Sequence, residues 1–351
     1  MAKSSKRLFI SSCEPYSGKS AFCLGLGLIL KERGMRVGYM KPVGNLLTEY
    51  NNGLTDRDTL HAKEILGLDD PPKLMSPVLL THELIDNALK GRKPAKQRTI
   101  RNAYAKVSKG KDYMLFEGAG DVGGGSMIGL SDVDVAKMLK TRILLLSRYD
   151  SVYAVDRVLN DVMFVKKKVK CAGVVFNNVP ASELKTVKTI VTSFLDDKGI
   201  KTIGVLPQDE IMQSVSVSDL RVKLNAKELV KGDGLIKSFV VGAMSPGHAM
   251  KYFRQVSDKA VITGGDRSDI LLAALETPTK CLILTGDLTP DEKVISKAEA
   301  KNVPVISTSH DTATTVQISE SLVSRLSVTS NQKLKRVREL ILKNVDVDAL
   351  L

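Results

Sequence analysis

Short apolar runs alternate with longer amphipathic stretches through the first two hundred residues of the chain. Leu8–Ile10, Arg36–Met40, Tyr113–Phe116, Arg142–Leu146, Ala172–Phe176 and Thr202–Leu206 read as strands. Most are continuously apolar, as strands covered on both faces are. Between them the 3.6-residue period predicts helices over Ala21–Arg33, Asp58–Leu66, Thr99–Ser108, Val133–Leu139, Val152–Phe164 and Ser182–Asp196. Gly34 and Gly67 stop the first two. Strand and helix in alternation predict a doubly wound, mainly parallel α/β domain over residues 1–207, which in such sheets carries ligands at the carboxyl ends of its strands.

Pro207 closes that series, and Gln208 to Lys231 reads as a polar connection with a short helix. A second β/α series follows. Ser238–Val241, Ala260–Ile262, Cys281–Leu284 and Val305–Ser307 predict strands, with helices around Phe253 and over Ser268–Glu276 and Asp291–Lys301. This predicts a smaller α/β domain over 208–330. From 331 to 351 the pattern is a helix with Leu334, Val337 and Ile341 on one face. Docking against the body or a partner chain accounts for that face, and a free tail is the alternative.

Composition narrows the class. The 351 residues are 43% hydrophobic and 26% charged, ordinary for a globular chain of two domains. Phe22 to Leu30, the longest apolar run near the start, is too short to span a membrane, and no long apolar segment follows the basic stretch Met1–Arg7. A cytoplasmic protein without membrane contact is expected. Cys13, Cys23, Cys171 and Cys281 are scattered and read as free thiols, and the four histidines make no metal-ligand pattern. The net charge is +13. Lys166-Lys167-Lys168-Val169-Lys170, its densest run, reads as a solvated helix end. Without aromatic-basic interleaving a nucleic-acid partner is not expected, whereas anionic nucleotides suit the charge.

The chemistry concentrates at predicted strand ends. Ser17-Gly18-Lys19-Ser20 follows the first strand and opens the first helix, the layout of a phosphate-binding loop. Unpaired backbone N–H groups and the positive end of the helix dipole favour an anion there. Lys19 would meet the phosphates and Ser20 a Mg²⁺ ion. Cys13 stands where the common pattern has its first glycine. Lys41, at the end of the second strand, can hold a second anion or a transferring phosphoryl group. Asp56 and Asp58 precede a helix, and either can cap it or ligate Mg²⁺ through water. Glu117 ends a buried strand and needs a partner for its charge, for which a metal is suited. Gly118-Ala119-Gly120 then lets backbone approach a ligand closely. Asn177 at the end of the fifth strand can read a base edge, or simply form a turn.

In this order, Ser11 to Ser20, Met40-Lys41-Pro42-Val43, Glu117-Gly118-Ala119-Gly120 and Asn177-Asn178-Val179 resemble dethiobiotin synthetase. That family's loop also lacks the first glycine. The resemblance implies ATP and Mg²⁺ as cofactors, and Lys19 and Lys41 as the catalytic pair, Lys41 facing the substrate carbamate or γ-phosphate. Ser20, Asp58 and Glu117 would hold Mg²⁺. Glu14, Ser17, Gly18, Lys19, Ser20, Ala21, Gly118 and Asn177 would form the nucleotide site, with Asn177 at the adenine. In the second domain, Val261-Ile262-Thr263-Gly264-Gly265-Asp266-Arg267-Ser268-Asp269-Ile270 and Cys281–Gly286 look like the DRTGG domain. There Arg267 can pair an anionic ligand, or Asp266 or Asp269. A dethiobiotin-synthetase-like domain followed by a DRTGG domain resembles the N-terminal region of long phosphotransacetylases. It implies a regulatory second domain that self-associates, and no phosphotransacetylase activity because the acyl-transfer domain is lacking. Two functions follow: an ATP-binding, slowly hydrolysing regulator, or an ATP-dependent ligase acting on a small carboxylate or amine.

Overall fold

The computed structural model describes residues 5–92, 96–323 and 330–351. Residues 1–4 of the basic amino-terminal stretch and 324–329 at the end of the second series lie outside the described residues. The chain forms two compact units, 1–208 with 334–351 and 209–333.

The first unit begins β1 (Lys6–Ser12), α1 (Lys19–Glu32), β2 (Val37–Met40), α2 (Arg57–Ile65), α3 (Gln97–Val107), β3 (Tyr113–Glu117). It continues α4 (Asp132–Met138), β4 (Arg142–Arg148), α5 (Tyr153–Lys166), β5 (Cys171–Val179), β6 (Thr202–Pro207). The strands form one six-stranded sheet in the order β6-β5-β4-β1-β3-β2, parallel throughout. β1 is central, with β3 on one side and β4 on the other. The strand order therefore reverses around β1, and the crevice at its carboxyl end is where the loop 13–18 emerges. Leu8, Phe9 and Ile10 are buried, which is why the run is apolar without alternation.

Three features depart from the sequence pattern. Ser182–Asp196 is broken into Leu184–Thr186, a π turn over Val187–Val191, and Thr192–Asp197. The Thr189 and Thr192 hydroxyls donate to the carbonyls of Lys185 and Lys188, a local competition that bends helices. An antiparallel hairpin pairs Leu47–Tyr50 with Gly53–Asp56. Its turn is Asn51-Asn52 with φ of 48° and 59°, the left-handed conformation that asparagine tolerates. Short helices over Pro72–Met75 and His82–Leu89 were also not legible.

The second unit carries β7 (Lys227–Val230), β8 (Ser238–Val241), α6 (Pro246–Gln255), β9 (Lys259–Gly264), α7 (Ser268–Leu275) and β10 (Thr279–Thr285). α8 (Glu292–Ala300), β11 (Val305–Ser307) and α9 (Thr312–Val323) complete it. The sheet order is β7-β11-β10-β9-β8, with β8 to β11 parallel and β7 antiparallel on the edge. Alternation divides its strands between two cores. Val261, Leu282, Leu284 and Val305 pack with α6, α7 and α8, while Ala260, Ile262, Cys281, Ile283 and Ile306 pack with Val215, Leu220 and Val316.

The carboxyl-terminal helix α10 (Asn331–Asn344) and the residues after it dock on the first unit. Val337 and Ile341 lie over Gly25 of α1, where an added Cβ would come within 2.7 Å of Ile341 Cδ1. Val345 bridges Gly204 of β6, and the Tyr113 hydroxyl and Arg142 guanidinium both donate to the Leu350 carbonyl.

Candidate nucleotide site

The loop between β1 and α1 is shaped by two left-handed residues, Tyr16 with φ 58° and Gly18 with φ 94°. Gly18 is the N-cap of α1 and supplies no side-chain cap, so the helix start is left to an external acceptor. Ser17 is buried and its Oγ has no hydrogen-bond partner. An orphan hydroxyl beside uncapped N–H groups fits a phosphate oxygen. Ala21 lies buried in the first turn.

Lys19 is buried and folds back over the loop, donating to Ser12 Oγ at 2.7 Å and to the Gly120 carbonyl. Burial pulls its pKa below the usual lysine range, with Asp132 and Glu117 opposing. Glu14 turns the other way. Its carboxylate accepts from the Arg148 backbone N–H at 2.6 Å and lies 3.5 Å from Arg157, tying the loop to the end of β4. Asn177 also holds the loop: its Nδ2 donates to the Ser17 carbonyl at 2.8 Å and its Oδ1 accepts from Asn178 N–H at 2.9 Å.

Ser20 and Glu117 are brought together. Ser20 Oγ donates to Glu117 Oε1 at 2.6 Å, and the Tyr39 hydroxyl donates to Oε2 at 2.8 Å. Burial first, then Asp58, raises the Glu117 pKa. Asp58 meets Lys41 instead, at 2.6 Å. Asp56, fully buried, lies 3.1 Å from the same ammonium. Its Oδ1 caps α2 through the N–H groups of Asp58 and Thr59, and its Oδ2 accepts from Asn45 and Leu46 N–H. The cap is thus Asp56, and Asp58 is the more exposed carboxylate. Burial opposes the Lys41 charge, but Asp58, Glu117 and Asp56 outweigh it and hold the ammonium above the ordinary range. Among the described residues no three His, Cys, Asp or Glu side chains are grouped to hold a metal. The Ser20–Glu117 oxygen pair is the hard-donor set on which a Mg²⁺ ion would fit.

Asp132 was not legible as a site residue. It lies buried at the start of α4, accepts from Ser11 Oγ at 2.6 Å and from Ala119 N–H at 3.3 Å, and fills the space that a Cβ on Gly118 would need. Burial pushes its pKa up to about 7. The available signal was Ser131-Asp132 after the glycine-rich loop, where the Ser131 hydroxyl caps α4 at Asp134 N–H.

Comparison with known proteins assigns both units. An AAA domain model matches residues 6–216, more than half of the chain. The chain belongs to the AAA domain family. A DRTGG domain model matches residues 219–322. Among curated relatives, phosphate acetyltransferase of Synechocystis sp. is 26% identical over 98% of this chain but 51% of its own length. ATP-dependent dethiobiotin synthetase BioD of Methanococcus vannielii is 27% identical over 57% of this chain and 92% of its own. The chain spans about half the length of the phosphate acetyltransferases it matches. Among solved structures, the cell division ATPase MinD of Pyrococcus furiosus is 14% identical with a TM-score of 0.36, covering 60% of this chain and 86% of that one. This family member therefore joins a P-loop domain to a DRTGG domain, and it is homologous to both relatives. No helix among the described residues is long and apolar enough to cross a membrane.

Proposed function

We propose that this chain binds Mg-ATP in its P-loop unit and hydrolyses it slowly, with the DRTGG unit as a regulatory, self-associating domain. The observation that carries the reading is the uncapped start of α1, with the buried orphan Ser17 hydroxyl and Lys19 beside it. Bound Mg²⁺ would supply charge neutralisation for the phosphates. Ser20 and Glu117 would hold it, with Asp58 reaching it through water. Lys19 must leave Ser12 and the Gly120 carbonyl to meet a phosphate, exchanging neutral acceptors for an anionic one. Gly118 keeps backbone close to the site, and Asn177 and Glu14 hold the loop from its flank. Ala21 closes the first helical turn. A Lys19→Ala variant is expected to lose at least tenfold in ATP affinity by calorimetry; an unchanged affinity refutes the site.

A second reading, an ATP-dependent ligase acting on a small carboxylate or amine, is favoured by Lys41. A buried ammonium held charged by three carboxylates is more than nucleotide binding requires, and it suits a transferring group. Following ADP release with Mg-ATP, alone and with a panel of small carboxylates and amines, separates the two. Slow release that no compound accelerates supports the regulator. Strong acceleration by one compound establishes the ligase. Sedimentation of the full chain tests self-association, and a monomer at every concentration removes that part of the reading.

A further inference from the structure

At the opposite end of the first sheet lies an open cavity of about 630 Å³, at the amino ends of β1, β4 and β5. Six of its nine lining residues are Arg7, Lys137, Lys140, Arg142, Lys168 and Lys170, and none is acidic. Cations are common there for a structural reason, since helix carboxyl termini converge on this end of a parallel sheet. Two of the six, Arg7 and Arg142, serve that purpose, and Lys168 is held by an ion pair. Arg7 donates to the Leu139 carbonyl at 2.8 Å, Lys168 pairs with Asp134 at 2.8 Å, and Arg142 donates to the Leu350 carbonyl. Lys137, Lys140 and Lys170 are exposed lysines that remain after those roles are filled, and they border the same concavity.

We propose that this cavity binds a compact polyanion bearing several phosphate groups, at a site separate from the P-loop. Its volume lies within the range of roughly 300–1,000 Å³ typical of small-molecule sites. Its six cationic side chains, of which Lys168 is already paired with a carboxylate, favour an anion of multiple charge, and lysine ammonium groups meet phosphate as mobile point charges. The lining contains no aromatic side chain on which a base could stack, so a bare polyphosphate chain matches it better than a nucleic acid strand. Ser5 and Thr141 also line it.

The test is calorimetric titration of the full chain with inorganic tripolyphosphate. A Lys19→Ala background keeps the P-loop from contributing. The expected result is binding in that background that weakens as salt rises, and a loss of at least tenfold in affinity when Lys137, Lys140 and Lys170 are all changed to alanine. The residues are exposed, and thermal unfolding checks the fold. Should the triple variant not fold, the single reversal Lys140→Glu is expected to weaken binding several-fold. No binding in the Lys19→Ala background, or affinity untouched by the substitutions, overturns the proposal. Tenfold tighter binding of a single-stranded oligonucleotide of matched charge also overturns it and points to nucleic acid.

Discussion

Single side chains around the loop do two kinds of work, and distance separates them. Asp56 and Asp58 stand two residues apart and both meet the Lys41 ammonium, but Asp56 is sealed under a helix start that it caps, while Asp58 keeps part of its surface open. Asp132 is the residue with the clearest titration consequence. Its folded pKa of about 7 lies above the ordinary aspartate value, so between about pH 4 and 7 the folded chain binds a proton that the unfolded chain releases. Its contribution to stability is present at low pH, declines through that window, and is lost above it. Asp132→Asn is expected to remove the decline, gaining on wild type by up to about 1.4 kcal/mol per pH unit as pH rises through the window. Urea unfolding from pH 4.5 to 8 reads this, and parallel curves would refute it. Gly118→Ala is expected to destabilise by roughly 1–3 kcal/mol, because its Cβ would collide with the Asp132 carboxylate. Equal urea midpoints would show that the carboxylate moves aside freely.

Elements were legible where one face or both faces are buried, and illegible where they are not. The six parallel strands and α1 declared themselves because burial on both sides excludes polar residues over several positions. The hairpin over 47–56 did not, since Leu47, Tyr50 and Leu54 are all exposed and its pairing is fixed by the turn rather than by a core. β7 reads as polar because three of its four residues face outward on a sheet edge. α10 was legible as an amphipathic helix, but its partner was not. Its apolar face closes over Gly25 and the adjoining surface of the first unit, so Ile341→Ala is expected to cost about 2–4 kcal/mol in that unit. A urea midpoint within error of wild type would mean the helix is detachable.

At the scale of the whole molecule, the two units have separate cores, so heating is expected to give two calorimetric transitions. Mg-ATP should raise only one of them, by mass action on the P-loop unit, and a single transition or an equal rise in both would contradict this. Sequence alone determined the α/β class, the strand series, the phosphate loop and its neighbours at strand ends, because each rests on a local signal: an apolar run, a glycine that permits a left-handed turn, a lysine and a hydroxyl at a helix start. Only the tertiary structure decided which carboxylate caps and that both meet Lys41, that Glu14 and Asn177 hold the loop from its side, that Asp132 lies beneath it, and that six cations meet in one cavity. Those are matters of distance between residues up to a hundred or more positions apart, such as Ser11 and Asp132, and no local pattern of apolar and polar positions carries that distance.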